Sequence, residues 1–176
     1  MEPSFLPPAP LIITAQLPPE LFAWADGLRT AHFPPERNKI RAHVTLFNAL
    51  PPSVEDEVRR LLARHSAAPP PPAQITAIMP LGGGTAFAIE SAALSAIHAD
   101  LVESFHGVLT AQDCARRKLH VTVQNKVSSA AAKALQVELA RDFHPRGFAF
   151  GALELHRYRG GPWEEAGCWR FRGRRG

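Results

Sequence analysis

Residues 41–50 read Arg-Ala-His-Val-Thr-Leu-Phe-Asn-Ala-Leu, and residues 118–127 read Lys-Leu-His-Val-Thr-Val-Gln-Asn-Lys-Val. The shared element is a histidine, a valine and a threonine followed by an aliphatic residue, His43 to Leu46 and His120 to Val123. Side chains alternate between the faces of an extended strand, so His43 shares a face with Thr45, and His120 with Thr122. A single strand histidine is ordinarily a satisfied structural residue. Two copies in register, each with its own hydroxyl, read instead as the halves of a symmetric catalytic site.

The segments around the two copies align without a gap at one offset, the 77 residues separating His43 from His120. Ile12 falls on Ile89, Leu17 on Leu94 and Arg41 on Lys118. Each copy runs from an apolar strand through a helical stretch to a second strand bearing the His-x-Thr, and then to another helix. Self-similarity at a fixed period indicates a duplicated unit. Two units are too few for a solenoid, so a closed pseudo-symmetric domain is expected over residues 1–176, with repeat one at about 10–84 and repeat two at about 85–172.

Helical apolar spacing at Leu21, Trp24, Ala25 and Leu28 follows Pro18-Pro19, where proline is tolerated, and predicts a first helix. Ser53, an acidic turn at Glu55, Asp56 and Glu57, and the stripe Val58, Leu61 and Leu62 predict a second. Leu94, Ile97, Leu101, Phe105 and Val108 predict a third; Ala131, Leu135 and Leu139 after Ser128 predict a fourth. Pro69 to Pro72 cannot continue a helix and lead into a predicted hairpin, AQITAIMP against TAFAIE about Gly82-Gly83-Gly84. Because that hairpin joins repeat one to repeat two, the lobes are expected to interlock. Strands near FAFGALELHRY and CWRFR close the chain.

With these motifs the sequence resembles the two-histidine (2H) phosphoesterase superfamily, in its LigT-like branch of 2'-5' RNA ligases and RNA 2',3'-cyclic phosphodiesterases. The resemblance runs from about Pro10 to Phe171. It implies an α+β fold of two pseudo-symmetric lobes, each an antiparallel sheet with helices packed outside, around a central cleft whose floor carries the two His-x-Thr strands. It further implies metal-independent opening of a 2',3'-cyclic phosphate to a 2'-phosphate, with 2'-5' joining as a related reaction. The alternatives are a nucleotide- or RNA-end-binding module with little turnover and a phosphodiesterase for a small cyclic nucleotide.

The residue types suit that chemistry independently of the resemblance. Opening a cyclic phosphodiester needs one group to take a proton from water and another to give one to the departing sugar oxygen, and two imidazoles of near-neutral pKa can do both. In-line attack places acid and base on opposite sides of phosphorus, as two strands across a twofold axis would. His43 and His120 are thus the expected catalytic pair, in either order, with Thr45 and Thr122 donating to the non-bridging oxygens. Arg41, Lys118, Phe47 and Gln124 share the histidine face by strict alternation and are expected substrate contacts: the two cations for phosphate, Phe47 for stacking on a base or packing, and Gln124 for a sugar or phosphate. His156 and Arg157 are placed near the cleft rim with less weight, and Trp24, Trp163 and Trp169 are read as packing residues.

Composition narrows the partners. The chain of 176 residues has a formal charge of +4, and residues 1–88 balance seven Lys/Arg against seven Asp/Glu, so the excess lies in the second half, with six arginines from Arg157 onward. A basic excess of this size fits RNA or a small cyclic nucleotide without requiring long RNA. Cys114 and Cys168 have no metal-ligand or redox spacing, and no compact carboxylate cluster stands out, so neither metal nor cofactor is expected. Prolines interrupt the short apolar stretch near the start and no run reaches spanning length. A cytoplasmic protein with no membrane and no obligate protein partner is the expectation.

Overall fold

The computed structural model describes residues 8–174. The strands and helices of the duplicated plan appear in order. They are β1 (Leu11–Gln16), α1 (Pro19–His32), β2 (Val44–Leu50), α2 (Glu55–His65), β3 (Pro72–Pro80), β4 (Thr85–Glu90), α3 (Ala92–Ser104), then a single turn α4 (Ala111–Cys114), β5 (His120–Gln124) and α5 (Ser129–Ala140). Strands β6 (Arg146–Ala149), β7 (Ala152–Arg157) and β8 (Glu164–Arg170) complete the chain. They form two four-stranded antiparallel sheets, in the orders β2-β1-β7-β8 and β5-β4-β3-β6.

The sheet assignments show how the repeats interlock. β3, which closes repeat one, pairs with β4 of repeat two in the register Ile75↔Ile89. At the 77-residue offset the counterpart of β3 is β7, and β7 returns to pair with β1 of repeat one, Ile13↔Leu155. The first sheet therefore takes β7 and β8 from repeat two, and the second takes β3 from repeat one. The predicted closing strand FAFGALELHRY is split accordingly: β6 joins the second sheet, β7 the first, with buried Phe150 at the crossing. At the β3–β4 turn Gly82 has φ +74, and a Cβ on Gly84 would overlap the Gln124 carbonyl, so only glycine fits there.

One core fills the space between the lobes. Leu11, Ile13, Val44, Leu46 and Leu50 of the first sheet and Ile75, Phe87, Val121 and Val123 of the second belong to the same buried cluster. The helices lie where their stripes require, with Val58, Leu61 and Leu62 of α2 buried as expected. Ser128 caps α5 by accepting from Ala131 N, and Ser91 caps α3 by accepting from Leu94 N. Two details differ from the expectations. Ser53 falls in a 3-10 turn (Pro52–Val54) instead of capping α2. Helix α3 ends at Ser104, short of Val108, because Gly107 at φ +92 breaks the helical path and leaves Val108 exposed.

Candidate active site

Buried Val44 and Leu46 point into the core from β2, and Val121 and Val123 do so from β5. Alternation therefore turns His43 with Thr45, and His120 with Thr122, to the other side, where all four are partly exposed. The two strands touch across the sheets. In both copies the ring Nδ1 meets the carbonyl two residues upstream: His43 with Arg41 O at 2.7 Å, His120 with Lys118 O at 2.8 Å. A carbonyl only accepts, so Nδ1 carries the proton and donates, and Nε2 is the nitrogen left for chemistry. Among the described residues none hydrogen-bonds either Nε2 or the hydroxyls of Thr45 and Thr122.

A shared irregularity ends each motif. Thr14 pairs with Thr45 and Ile13 with Phe47, so β2 uses two residues where β1 uses one. Ala86 pairs with Thr122 and Thr85 with Gln124, so β5 does the same against β4. The extra residues are Leu46 and Val123, which correspond at the 77-residue offset. A bulge of this kind breaks strict alternation. Phe47 consequently turns into the core, fully buried and stacked on His98 at 4.8 Å, and Gln124 is buried with its Oε1 accepting from Thr85 Oγ1 at 3.0 Å. The expectation that Phe47 and Gln124 contact substrate is corrected: neither has surface to offer.

The flanking cations hold their backbone positions as expected, but their side chains diverge. Arg41 donates to Asp26 Oδ2 at 3.1 and 3.2 Å and lies over the Phe22 ring, while Asp26 Oδ1 also accepts from Ala42 N. It lines the cavity that contains His43. Lys118 is exposed and opens on a separate hollow of about 610 Å³ on the other lobe, beside Thr76, Ser91 and Arg116.

Each motif strand is also gripped by a buried charged side chain from the opposite lobe. Arg29 of α1, only 4 % exposed, donates through Nη1 to Thr122 O at 3.0 Å and through Nε to Asn38 Oδ1 at 3.2 Å. Asp113 of α4, fully buried, accepts from Asn48 N and Ala49 N of β2, both at 2.9 Å, and from Arg117 Nη2 at 3.0 Å. The grip is reciprocal: a cation takes a carbonyl of β5 and an anion takes the amides of β2. Sequence reading missed both. Arg29 had a legible signal, since it continues the i, i+4 stripe of Leu21 and Ala25, a position a solvent-facing arginine does not occupy.

The two histidines do not share one electrostatic environment. Burial lowers the pKa of His43 to about 4, opposed by its bond to Arg41 O and reinforced by the charges of Arg29, His156 and His120. Trp163 sits edge-on to His43 with ring centres 4.7 Å apart, and His156 lies 5.4 Å from Trp163. The cavity on this flank holds about 590 Å³ and is lined by Thr14, Phe22, Arg41, His43, Glu154, His156 and Trp163 among others. Trp163, read from sequence as a packing residue, is therefore part of the site wall, as is His156. Arg157 is not, being paired with Glu55 and Glu164. Trp24 and Trp169 do pack, against Phe87 and beneath Arg59 respectively.

Among the described residues no group of three or more histidine, cysteine, aspartate or glutamate side chains is arranged to hold a metal ion, and no helix is long and apolar enough to cross a membrane.

Two interlocked lobes whose touching motif strands each carry one Nδ1-tethered histidine and one unengaged threonine hydroxyl have the architecture of a two-histidine phosphoesterase. Residues 17–162 match the family model of the 2'-5' RNA ligase superfamily, and the chain belongs to that superfamily. Solved structures agree on the fold. TT0787 of Thermus thermophilus superposes with a TM-score of 0.63 at 16% identity, covering 94% of this chain and 100% of its own. E. coli LigT complexed with 3'-AMP gives 0.57 at 16%, and complexed with NADP+ 0.58 at 16%, each covering 93% of this chain and 98% of LigT. A search of curated proteins finds no match.

Proposed function

We propose that the protein is a metal-independent phosphodiesterase that opens 2',3'-cyclic phosphate ends of RNA to 2'-phosphates. The observation that carries this reading is the pair of histidines, each tethered through Nδ1 and each leaving Nε2 unengaged beside an unengaged threonine hydroxyl. His43, whose burial favours the neutral ring, is suited to be the base. Its Nε2 takes a proton from water as the water oxygen bonds to phosphorus. The bond from phosphorus to O3' breaks on the opposite side, and O3' receives the proton that His120 carries on Nε2. Thr45 and Thr122 donate to the non-bridging oxygens, where charge builds during attack. Proton exchange with solvent restores both rings. With a 5'-hydroxyl in place of water, the same displacement leaves a 2'-5' linkage.

The test is incubation of an RNA oligonucleotide ending in 2',3'-cyclic phosphate with the protein in EDTA, beside His43→Ala and His120→Ala. Formation of a 2'-phosphate by the unaltered protein and by neither variant is expected. A 3'-phosphate, or full activity in either variant, would refute the assignment.

A further inference from the structure

The flank of the cleft beside His43 holds features that proton transfer to a phosphate does not use. Glu154 and Glu165 both line the cavity. Glu154 is partly buried on β7, and no cation pairs with it among the described residues; Thr14 Oγ1, at 3.4 Å, is the hydroxyl that faces it. Burial and the neighbouring Glu165 raise its pKa. Two carboxylates repel a phosphate, so this part of the cavity is built for an uncharged part of the substrate that carries hydrogen-bond donors. Its volume, about 590 Å³, is of the size that seats a small organic ligand. Trp163 on the β7–β8 loop gives this flank an aromatic face, while Phe22 of α1 lines it beneath the Arg41 guanidinium.

Resting on the phosphodiesterase reading, we propose that this cavity seats the nucleobase next to the cyclic phosphate and that Glu154 reads the base edge, favouring guanine and disfavouring uracil. A base stacks on an aromatic face whatever its identity, so Trp163 supplies affinity without choice. The carboxylate supplies choice. Guanine presents N1–H and the N2 amino group side by side, two donors for two carboxylate oxygens. Adenine and cytosine present one amino group beside a ring nitrogen that accepts. Uracil presents a single N3–H between two carbonyls that face the carboxylate unfavourably. The seat is one-sided, because the counterparts of Glu154 and His156 in the other lobe are Ala77 and Met79. The base hangs from C1', lateral to the line of attack, so the seat does not depend on which histidine is the acid.

The experiment measures kcat/KM for the four nucleoside 2',3'-cyclic monophosphates on the unaltered protein, Glu154→Gln and Trp163→Leu. A good bidentate contact discriminates by about 1–3 kcal/mol, so guanine is expected to exceed uracil by roughly fivefold or more. Glu154→Gln should bring that ratio below about threefold, since an amide both donates and accepts. Trp163→Leu should lower all four together and keep their order. An active protein with no guanine preference, or Glu154→Gln with the ratio intact, overturns the proposal. If the unaltered protein turns over none of the four and also leaves the RNA oligonucleotide's cyclic phosphate unopened, the phosphodiesterase reading fails by itself. The seat is then decided by equilibrium binding of guanosine and uridine 2'-phosphates, read by Trp163 fluorescence, with the same ratios expected and their absence equally fatal.

Discussion

The two halves of the cleft agree in how each histidine and each bulge is set on its own strand and differ in the side chains that surround them. Both histidines bind the carbonyl two residues upstream, and both motifs end in a bulge at the same repeat position. Around His43 stand Trp163, Phe22, Glu154 and the buried charge of Arg29; beside the His120 strand lie the exposed cations Arg116 and Lys118. The two copies share what main-chain geometry dictates, namely where an imidazole and a hydroxyl stand, and differ in what neighbouring side chains supply.

The most direct test of this contrast falls on the histidines themselves. Removing either one should lower kcat by roughly 10³-fold or more, within the range of acid–base catalysis, and removing both should cost little beyond the worse single variant because they act as a unit. Additive losses in steady-state kinetics would show that the halves work independently.

The reciprocal grip comes next. Asp113→Ala strands two buried amides and the partly buried Arg117, and should destabilise the protein by about 3 kcal/mol in urea unfolding. Arg29→Gln should lower kcat by up to about 10²-fold through displacement of the β5 strand, with a smaller effect on KM. The two variants together test whether the grip holds the lobes or aims them: a stability loss alone argues for the first, a kcat loss at full stability for the second.

A finer difference lies in pH. His43 has a depressed pKa, so the folded state favours its neutral form. The resulting stabilisation, present above pH 6.5, is lost as pH falls through about 4. If His43 is the base, kcat/KM should hold down to about pH 4 on its acid limb, and Arg29→Gln should move that limb upward because a charge opposing protonation is gone. An acid limb well above pH 4 in the unaltered protein would overturn the assignment of His43 as the base. The smallest effect is expected at Phe47: Phe47→Leu should cost about 1 kcal/mol in thermal unfolding and leave relative rates on purine and pyrimidine substrates unchanged, as fits a core residue stacked on His98.

Much of the fold was legible because its signals are local. Alternation, helical stripes and the capping serine Ser128 mark their elements within a few residues of sequence, and the 77-residue offset marks the self-similarity of the two halves. His43, Thr45, His120 and Thr122 were legible for the same reason, since a strand dictates which side chains share a face. The substrate contact read for Gln124 fails, and Phe47 follows the packing alternative over stacking, because a bulge is a property of two paired strands, and no single strand announces which of its residues will be skipped. Trp163, Glu154, Arg29 and Asp113 are distant in sequence from the motifs they serve. The paired histidines, their hydroxyl partners and the duplicated α+β plan thus follow from the order of residues alone. Folding was needed to settle that β7 would join the first sheet, which buried charges grip each motif, and which flank became an acidic cavity, because each depends on contacts between segments far apart along the chain.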